Sequence, residues 1–373
     1  MECKWSQEHI SIDQYGKFRP CCNWQNHTNE DAPLDFQNNS LQEYLNSDFK
    51  RNINQRLADN KWPGGCFKCK ITEENNTQSI RTERKYLIKD MEIKFGNLCN
   101  LGCYMCTVDK SSVLLNTYTD MINANLGDDR IEQELKDHNY KQSFVNTPWY
   151  ESKDKIIELA QFASTRSKLR FTGGEPTVNT YLRDFLQELV KHNTYITLRI
   201  TTNAMNVTSK LLELLEQFMK VEITLSIDGT SEYNEYLRYP SNWNKINNNV
   251  QKFKSLTNTE LDVNTVVSFL NVHLLEDIIV WGNDVGASRH MFLPAHEPDI
   301  LNPSLSYGWQ KKVFNNIFER YNSKKIRLDR CNKFVNKEQD INVLHDTFDY
   351  LDRLDNIRNT NWRNLFFKGA VNE

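Results

Sequence analysis

Short apolar runs alternate with amphipathic segments through the middle of the chain. The runs Met91–Phe95, Leu169–Thr172, Ile196–Thr201, Val221–Ile227, Leu261–Val267 and Arg289–Leu293 have strand length and are bounded by polar or turn residues. Between them, apolar positions recur at helical spacing over Lys153–Ser164, Tyr181–His192, Ser209–Met219, Trp243–Leu256 and Leu274–Val285. This alternation predicts an α/β fold with a parallel sheet covered by helices. Right-handed crossovers would curl six such units into a partial (β/α)6 TIM-like barrel, with the loops at the strands' C-terminal ends facing the ligand.

The flanks read differently. Residues 1–85 are irregular and punctuated by cysteine, and are expected to form a small cysteine-rich module. Within them His9–Ile12 alternates as a short strand, Tyr15-Gly16 reads as a hairpin turn, and a helical pattern runs from Leu41 to about Ala58 until Trp62-Pro63-Gly64-Gly65 stops it. Residues 86–300 hold the barrel pattern, and 301–373 read as a helical C-terminal extension. Residues 107–152 break the alternation with a long polar, partly helical stretch. It fits either a lid or an extra pair of surface helices.

Composition narrows the class. The net charge of -3 provides no global basic field, so nucleic acid is not an expected partner. Aromatic residues make up 11% of the chain, which argues against disorder. No apolar run approaches the roughly 20 residues of a membrane helix, and MECKWSQEHI has no apolar signal core. The chain is therefore expected to be cytoplasmic, where thiols stay reduced. Eight of its nine cysteines precede residue 107, a crowding that points to metal or cluster chemistry rather than disulfides.

Three cysteines, Cys99, Cys103 and Cys106, share the loop KFGNLCNLGCYMC after the first barrel strand. Thiolates select zinc or iron–sulfur clusters over hard cations. Three of them with no nearby fourth Cys or His leave one coordination position open, which suits a [4Fe-4S] cluster; a zinc site remains the alternative. Phe171-Thr172-Gly173-Gly174-Glu175-Pro176 closes the second barrel strand, and its two glycines permit close backbone approach. The third strand ends at Thr201-Thr202-Asn203 and the fourth at Leu225-Ser226-Ile227-Asp228-Gly229, so short polar side chains collect where α/β ligand sites lie.

The cysteine loop resembles that of the radical S-adenosylmethionine (radical SAM) superfamily. The resemblance implies that Cys99, Cys103 and Cys106 ligate the catalytic [4Fe-4S] cluster, whose open iron binds S-adenosylmethionine. It further implies that Gly173, Gly174 and Glu175 bind the methionine ammonium. Asn203, Ser226 and Asp228 would contact its ribose and methionyl parts, and Arg238 would pair with the carboxylate, a partner suited to a guanidinium fork. One departure is Met105, where relatives often have an aromatic residue before the third cysteine; Tyr104 stands one position earlier.

Cys3, Cys21, Cys66 and Cys69, with GKFRPCC and GGCFKC as local signatures, resemble a twitch or SPASM auxiliary-cluster module. By that resemblance they hold a second [4Fe-4S] cluster, although in many relatives the module follows the barrel rather than preceding it. A structural four-cysteine zinc site is the lesser alternative. Cys22 is then expected to be a packed thiol and Cys331 a small buried hydrophobe. His290, His296 and Glu297 near the last barrel strand are expected to face the cavity, and Trp149 to pack in the core.

Taken together, the resemblance implies a radical SAM oxidoreductase of maturase type. Such an enzyme reductively cleaves S-adenosylmethionine, and the 5′-deoxyadenosyl radical takes a substrate hydrogen. Oxidation or crosslinking of a peptide or protein is the leading expectation. Dehydrogenation of a small alcohol or sugar-like metabolite is the alternative, and a non-catalytic metal-stabilised binding protein a further one. A flavodoxin or ferredoxin would supply electrons.

Overall fold

The computed structural model describes residues 1–24, 34–74, 78–83, 89–143, 145, 148–295 and 298–367. Among them are nine strands: β1 (Ile10–Ile12), β2 (Phe18–Arg19), β3 (Asp90–Lys94), β4 (Lys168–Thr172), β5 (Thr197–Thr202), β6 (Lys220–Ser226), β7 (Thr259–Val267), β8 (Arg289–Pro294) and β9 (Ile326–Arg327). Their order in the sheet is β2-β1-β3-β4-β5-β6-β7-β8-β9. Strands β3 to β8 are the six runs read from the sequence, each within a residue or two, and a helix follows or precedes each as expected. The fold is α/β with a mostly parallel sheet.

The cysteine-rich flank contributes two more strands to this sheet. β1 pairs in parallel with β3 through Ile10↔Met91 and Ile12↔Ile93, and antiparallel with β2. All three β1 residues are buried, so a short Ile-Ser-Ile segment can serve as an inner strand. The turn between β1 and β2 carries Gly16 at φ +81°, where a Cβ would lie 2.9 Å from the Trp149 ring. Trp149 is itself buried as expected, 5.2 Å from both Phe36 and Phe95 between ring centres.

The helical pattern read as continuous from Leu41 to Ala58 is two helices, Leu41–Leu45 and Asp48–Ala58. Ser40 and Ser47 explain the break, because each accepts a hydrogen bond from the backbone N–H three residues on and starts its own helix. Residues 107–152 also fold into helices, Ser112–Asn123 and Asp129–Gln142. Their apolar faces (Leu114, Tyr118, Met121, Ile131) are buried in one cluster with Tyr350, Leu351, Leu354, Trp362 and Phe366 from the C-terminal helices. Both helices thus pack one apolar face onto the C-terminal helices and leave the other face exposed.

The chain divides into two compact units. One comprises Met1–Asn97, Tyr140–Ile200 and Glu213–Val221; the other comprises Leu98–Asn139, Thr201–Leu212 and Glu222–Glu373.

Each unit buries a histidine that finds no hydrogen-bond partner for either ring nitrogen among the described residues: His9 in the first, His290 in the second. Burial pushes both imidazoles down to about 4. The unfolded chain protonates them near 6.5, so the stability they confer is complete above that pH and is lost as pH falls toward 4. Unfolding in urea should therefore show stability declining from pH 6.5 to 4 by on the order of 1 kcal/mol per pH unit for each histidine. His290→Leu should flatten that slope; an unchanged slope would contradict the assignment of a buried neutral ring.

Candidate active site

The loop carrying the three cysteines is fixed mainly by backbone hydrogen bonds. Gly102 N–H donates to the Tyr239 carbonyl (2.7 Å) and Tyr104 N–H to the Leu237 carbonyl (3.2 Å), so residues 102–104 run beside 237–239. Cys106 N–H donates to the Cys103 carbonyl (3.0 Å), turning the chain between the second and third thiols. Ser111 Oγ donates to the Leu101 carbonyl (2.6 Å), and Ser112 Oγ accepts from Cys99 N–H (3.1 Å), which ties the loop to the start of the helix that follows. Cys103 is buried; Cys99 and Cys106 are half-buried. Tyr104 does not face outward. Its ring is buried and its hydroxyl donates to Ser268 Oγ.

Electrostatics at the loop are dominated by one buried ion pair. Arg238 Nε lies 2.7 Å from Asp228 Oδ2, and its Nη1 lies 3.9 Å from Cys103 Sγ. Asp228 Oδ1 accepts from Val266 N–H (2.7 Å). Asp228 N–H donates to Asn234 Oδ1 (3.1 Å), while its carbonyl accepts from Asn271 Nδ2 (2.8 Å). Burial raises the Asp228 carboxyl above its ordinary range and Arg238 offsets that only in part. Burial likewise pushes the Cys103 thiol far up; Arg238 opposes this, while Cys106 and Cys99 push it further. Cys103 thus senses the other two thiols, and Arg238 acts on both Cys103 and Cys106. Asn203 also touches the loop, donating from Nδ2 to Asn100 Oδ1 (2.9 Å) while its own Oδ1 accepts from Met205 N–H. Ser226 closes β6 as a buried residue.

The glycine turn belongs to the other unit. Gly173 has φ +110°, and a Cβ there would come within 3.1 Å of the Gly96 carbonyl oxygen, so both conformation and space call for glycine. Gly174 N–H donates to that same carbonyl (3.3 Å). Glu175 is buried and its Oε1 accepts from the Thr177 N–H and hydroxyl (3.0 and 2.8 Å).

A family model described as the Radical SAM superfamily matches residues 93–279, half of the chain. The chain belongs to the radical SAM superfamily. Membership makes it a radical SAM enzyme fold, whose chemistry uses a [4Fe-4S] cluster and S-adenosylmethionine. No curated protein matches the chain. Among solved structures, Streptococcus suis SuiB bound to S-adenosylmethionine is 16% identical with a TM-score of 0.41, over 81% of this chain and 55% of that one. Native anSMEcpe with bound AdoMet and Cp18Cys peptide is 17% identical with a TM-score of 0.39, over 62% and 59%. Coproporphyrinogen III oxidase (HemN) from Escherichia coli is 14% identical with a TM-score of 0.36, over 71% and 52%. The chain spans little more than half the length of these proteins.

The donor set of the radical SAM loop fits the cluster it requires. All three donors are sulfur, and a cation lies against the most buried of them. Among the described residues no three His, Cys, Asp or Glu side chains converge on a point that would hold a single metal ion. A multi-iron cluster does not ask that of its cysteines, because each binds a different iron.

The amino-terminal cysteines also gather. Cys3 and Cys21 are buried with Trp5, Trp24, Ile53 and Leu57, and Cys66 packs against this group. After burial, the charges of Cys22, Cys3 and Cys66 help push Cys21 up, and Cys3 and Cys69 do the same to Cys66, which reaches about 12. Gly65 explains the GGC signature: a Cβ there would stand 2.2 Å from the Trp24 indole, which lies directly against the turn. Cys22 departs from the sequence reading. It is exposed rather than packed, because its neighbour Cys21 takes the inward position.

His290 is a second correction. Its ring faces away from the expected cavity and packs against the helix Leu275–Asp284, where a Cβ on Gly282 would lie 2.2 Å from Cε1. Alternation along β8 sets this side, and Gly282 makes room for the ring. His296 and Glu297 lie outside the described residues. Cys331 is fully buried. Sequence reading missed Asn100, Asn271 and Arg358, all of which bind the loop or its supports; only Asn100, inside the cysteine motif, carried a local signal.

Asp228→Asn leaves Arg238 buried without its counter-charge. Urea unfolding of the variant should show a loss of about 3–5 kcal/mol, whereas exposed Glu232→Gln stays within about 0.5 kcal/mol. Equal midpoints for Asp228→Asn and wild type would contradict the anchoring role.

Proposed function

We propose that this radical SAM chain is an oxidoreductase of maturase type that oxidises or crosslinks a peptide or protein. The observation that carries the reading is the three-thiol loop with the Arg238 guanidinium 3.9 Å from Cys103 Sγ. Bound at Cys99, Cys103 and Cys106, the cluster and S-adenosylmethionine supply reductive carbon–sulfur cleavage and a 5′-deoxyadenosyl radical that takes a substrate hydrogen.

The chain's own residues bind and orient. Arg238, held by Asp228, offers its fork to the methionine carboxylate. Gly173 and Gly174 keep main-chain groups accessible for the methionine ammonium, with Glu175 completing that subsite. Asn203 and Ser226 serve the ribose and methionyl parts. Asp228 acts as a positioning residue, because its oxygens are engaged by Arg238 and Val266.

Net oxidation requires somewhere for the substrate's second electron to go. The gathering of Cys3, Cys21 and Cys66 with Trp5 and Trp24, and the effect of Cys69 on Cys66, support a second cluster of the twitch or SPASM type there. Cys21 rather than Cys22 is its ligand, since only Cys21 is buried with the group. The peptide class rests on the association of such modules with peptide modification.

Anaerobic reconstitution tests both halves. Wild type should hold about eight irons and release 5′-deoxyadenosine with dithionite, and Cys103→Ala should keep about four irons with no release. Cys66→Ala should also keep about four irons and still release 5′-deoxyadenosine, but without forming oxidised or crosslinked substrate. Four irons in wild type, or zinc at the amino-terminal thiols, would remove the oxidative reading and leave radical SAM cleavage intact.

A further inference from the structure

Arg358 ends the long helix Ile341–Arg358 and reaches back into the cysteine loop. Its Nη2 donates to the Gly102 carbonyl, and its Cζ stands 5.0 Å over the Tyr239 ring. Tyr239 in turn accepts from Gly102 N–H. Both backbone polar groups of Gly102 are therefore taken by one stacked pair, one residue before Cys103. Glycine is what permits this approach, since a Cβ there would lie 3.3 Å from Nη2.

The charge of Arg358 is unusual for its setting. The side chain is 7% exposed, and its Nε finds no partner among the described residues. Asp355, one turn earlier, is engaged instead by the Tyr236 and Thr360 hydroxyls and by Trp362 N–H. A buried cation with no carboxylate is costly unless another anion faces it. Arg238, the other guanidinium against the loop, is balanced by Asp228. Among the described residues Arg358 is thus a buried positive charge at the loop with no carboxylate paired to it.

We propose that Arg358 is a positioning residue that fixes the Gly102 carbonyl and raises the reduction potential of a cluster on Cys99, Cys103 and Cys106. This rests on the reading that those thiols hold the cluster. One-electron reduction of [4Fe-4S]2+ to [4Fe-4S]1+ by an external donor adds one negative charge and no proton. A fixed cation beside the loop favours the more anionic product, and net charge and hydrogen bonding are the protein's levers on such potentials.

The experiment is an EPR-monitored redox titration of anaerobically reconstituted wild type, Arg358→Gln, Arg358→Met and Arg358→Lys, with iron counted in each. Arg358→Met keeps the stem's packing against Tyr239, and Arg358→Lys keeps the charge. The expected result is full iron content with a potential shifted negative in both neutral variants and largely recovered in Arg358→Lys. An unchanged potential in either neutral variant at full iron content overturns the proposal. So does failure of both neutral variants to fold, which makes Arg358 a structural strut. Absence of a cluster in wild type would instead sink the cluster reading itself, before any variant is compared.

Discussion

Everything at the candidate site depends on keeping three thiols together on one largely buried loop. The loop meets this constraint with main-chain hydrogen bonds to residues 237–239, with hydroxyl ties from Ser111 and Ser112, and with the Arg358 guanidinium on the Gly102 carbonyl. The Asp228 carboxylate is turned onto Arg238 and Val266 N–H, and Glu134 accepts from Val108 N–H. Burial then holds the Cys103 and Cys106 thiols in their protonated forms in the bare protein. Metal binding must release those protons and replace them with a cation's charge, which couples occupancy of the site to pH and to the two guanidiniums nearby.

This constraint also explains the helices that surround the loop. The pair Ser112–Asn123 and Asp129–Gln142 and the C-terminal helices share one apolar cluster that includes Tyr104 and reaches Met105 and Cys106. A motif of eight residues cannot exclude water alone, so segments distant in sequence supply the walls. Arg353 of the C-terminal helix adds a fastening at the edge, bonding the Leu126 carbonyl and pairing with Asp128. Residues that look dispensable beside the barrel pattern are thereby part of what makes the loop usable.

Much of this was legible in the chain. Six strands announced themselves because their buried residues recur at every second position or closer, so apolar side chains recur over strand length between polar boundaries. The cysteine motif and the glycine turn were legible because their chemistry demands those residue types at short range. Less visible were the features set by tertiary partners. The break at Ser47 hides inside a continuous helical pattern until the cap is seen. The inward side of β8, which turns His290 onto Gly282, depends on a register that sequence alone does not fix. Arg358 lies 256 positions from Gly102, and nothing in its helix marks it as different from a surface arginine.

The central claim is that three protein sulfurs leave one iron open to S-adenosylmethionine. The most direct measurement is low-temperature EPR of the anaerobically purified, dithionite-reduced protein carrying Cys66→Ala, recorded with and without S-adenosylmethionine. The account predicts a single [4Fe-4S]1+ signal whose g-values shift when S-adenosylmethionine is added. A signal indifferent to S-adenosylmethionine, or none at all in iron-replete protein, would contradict it.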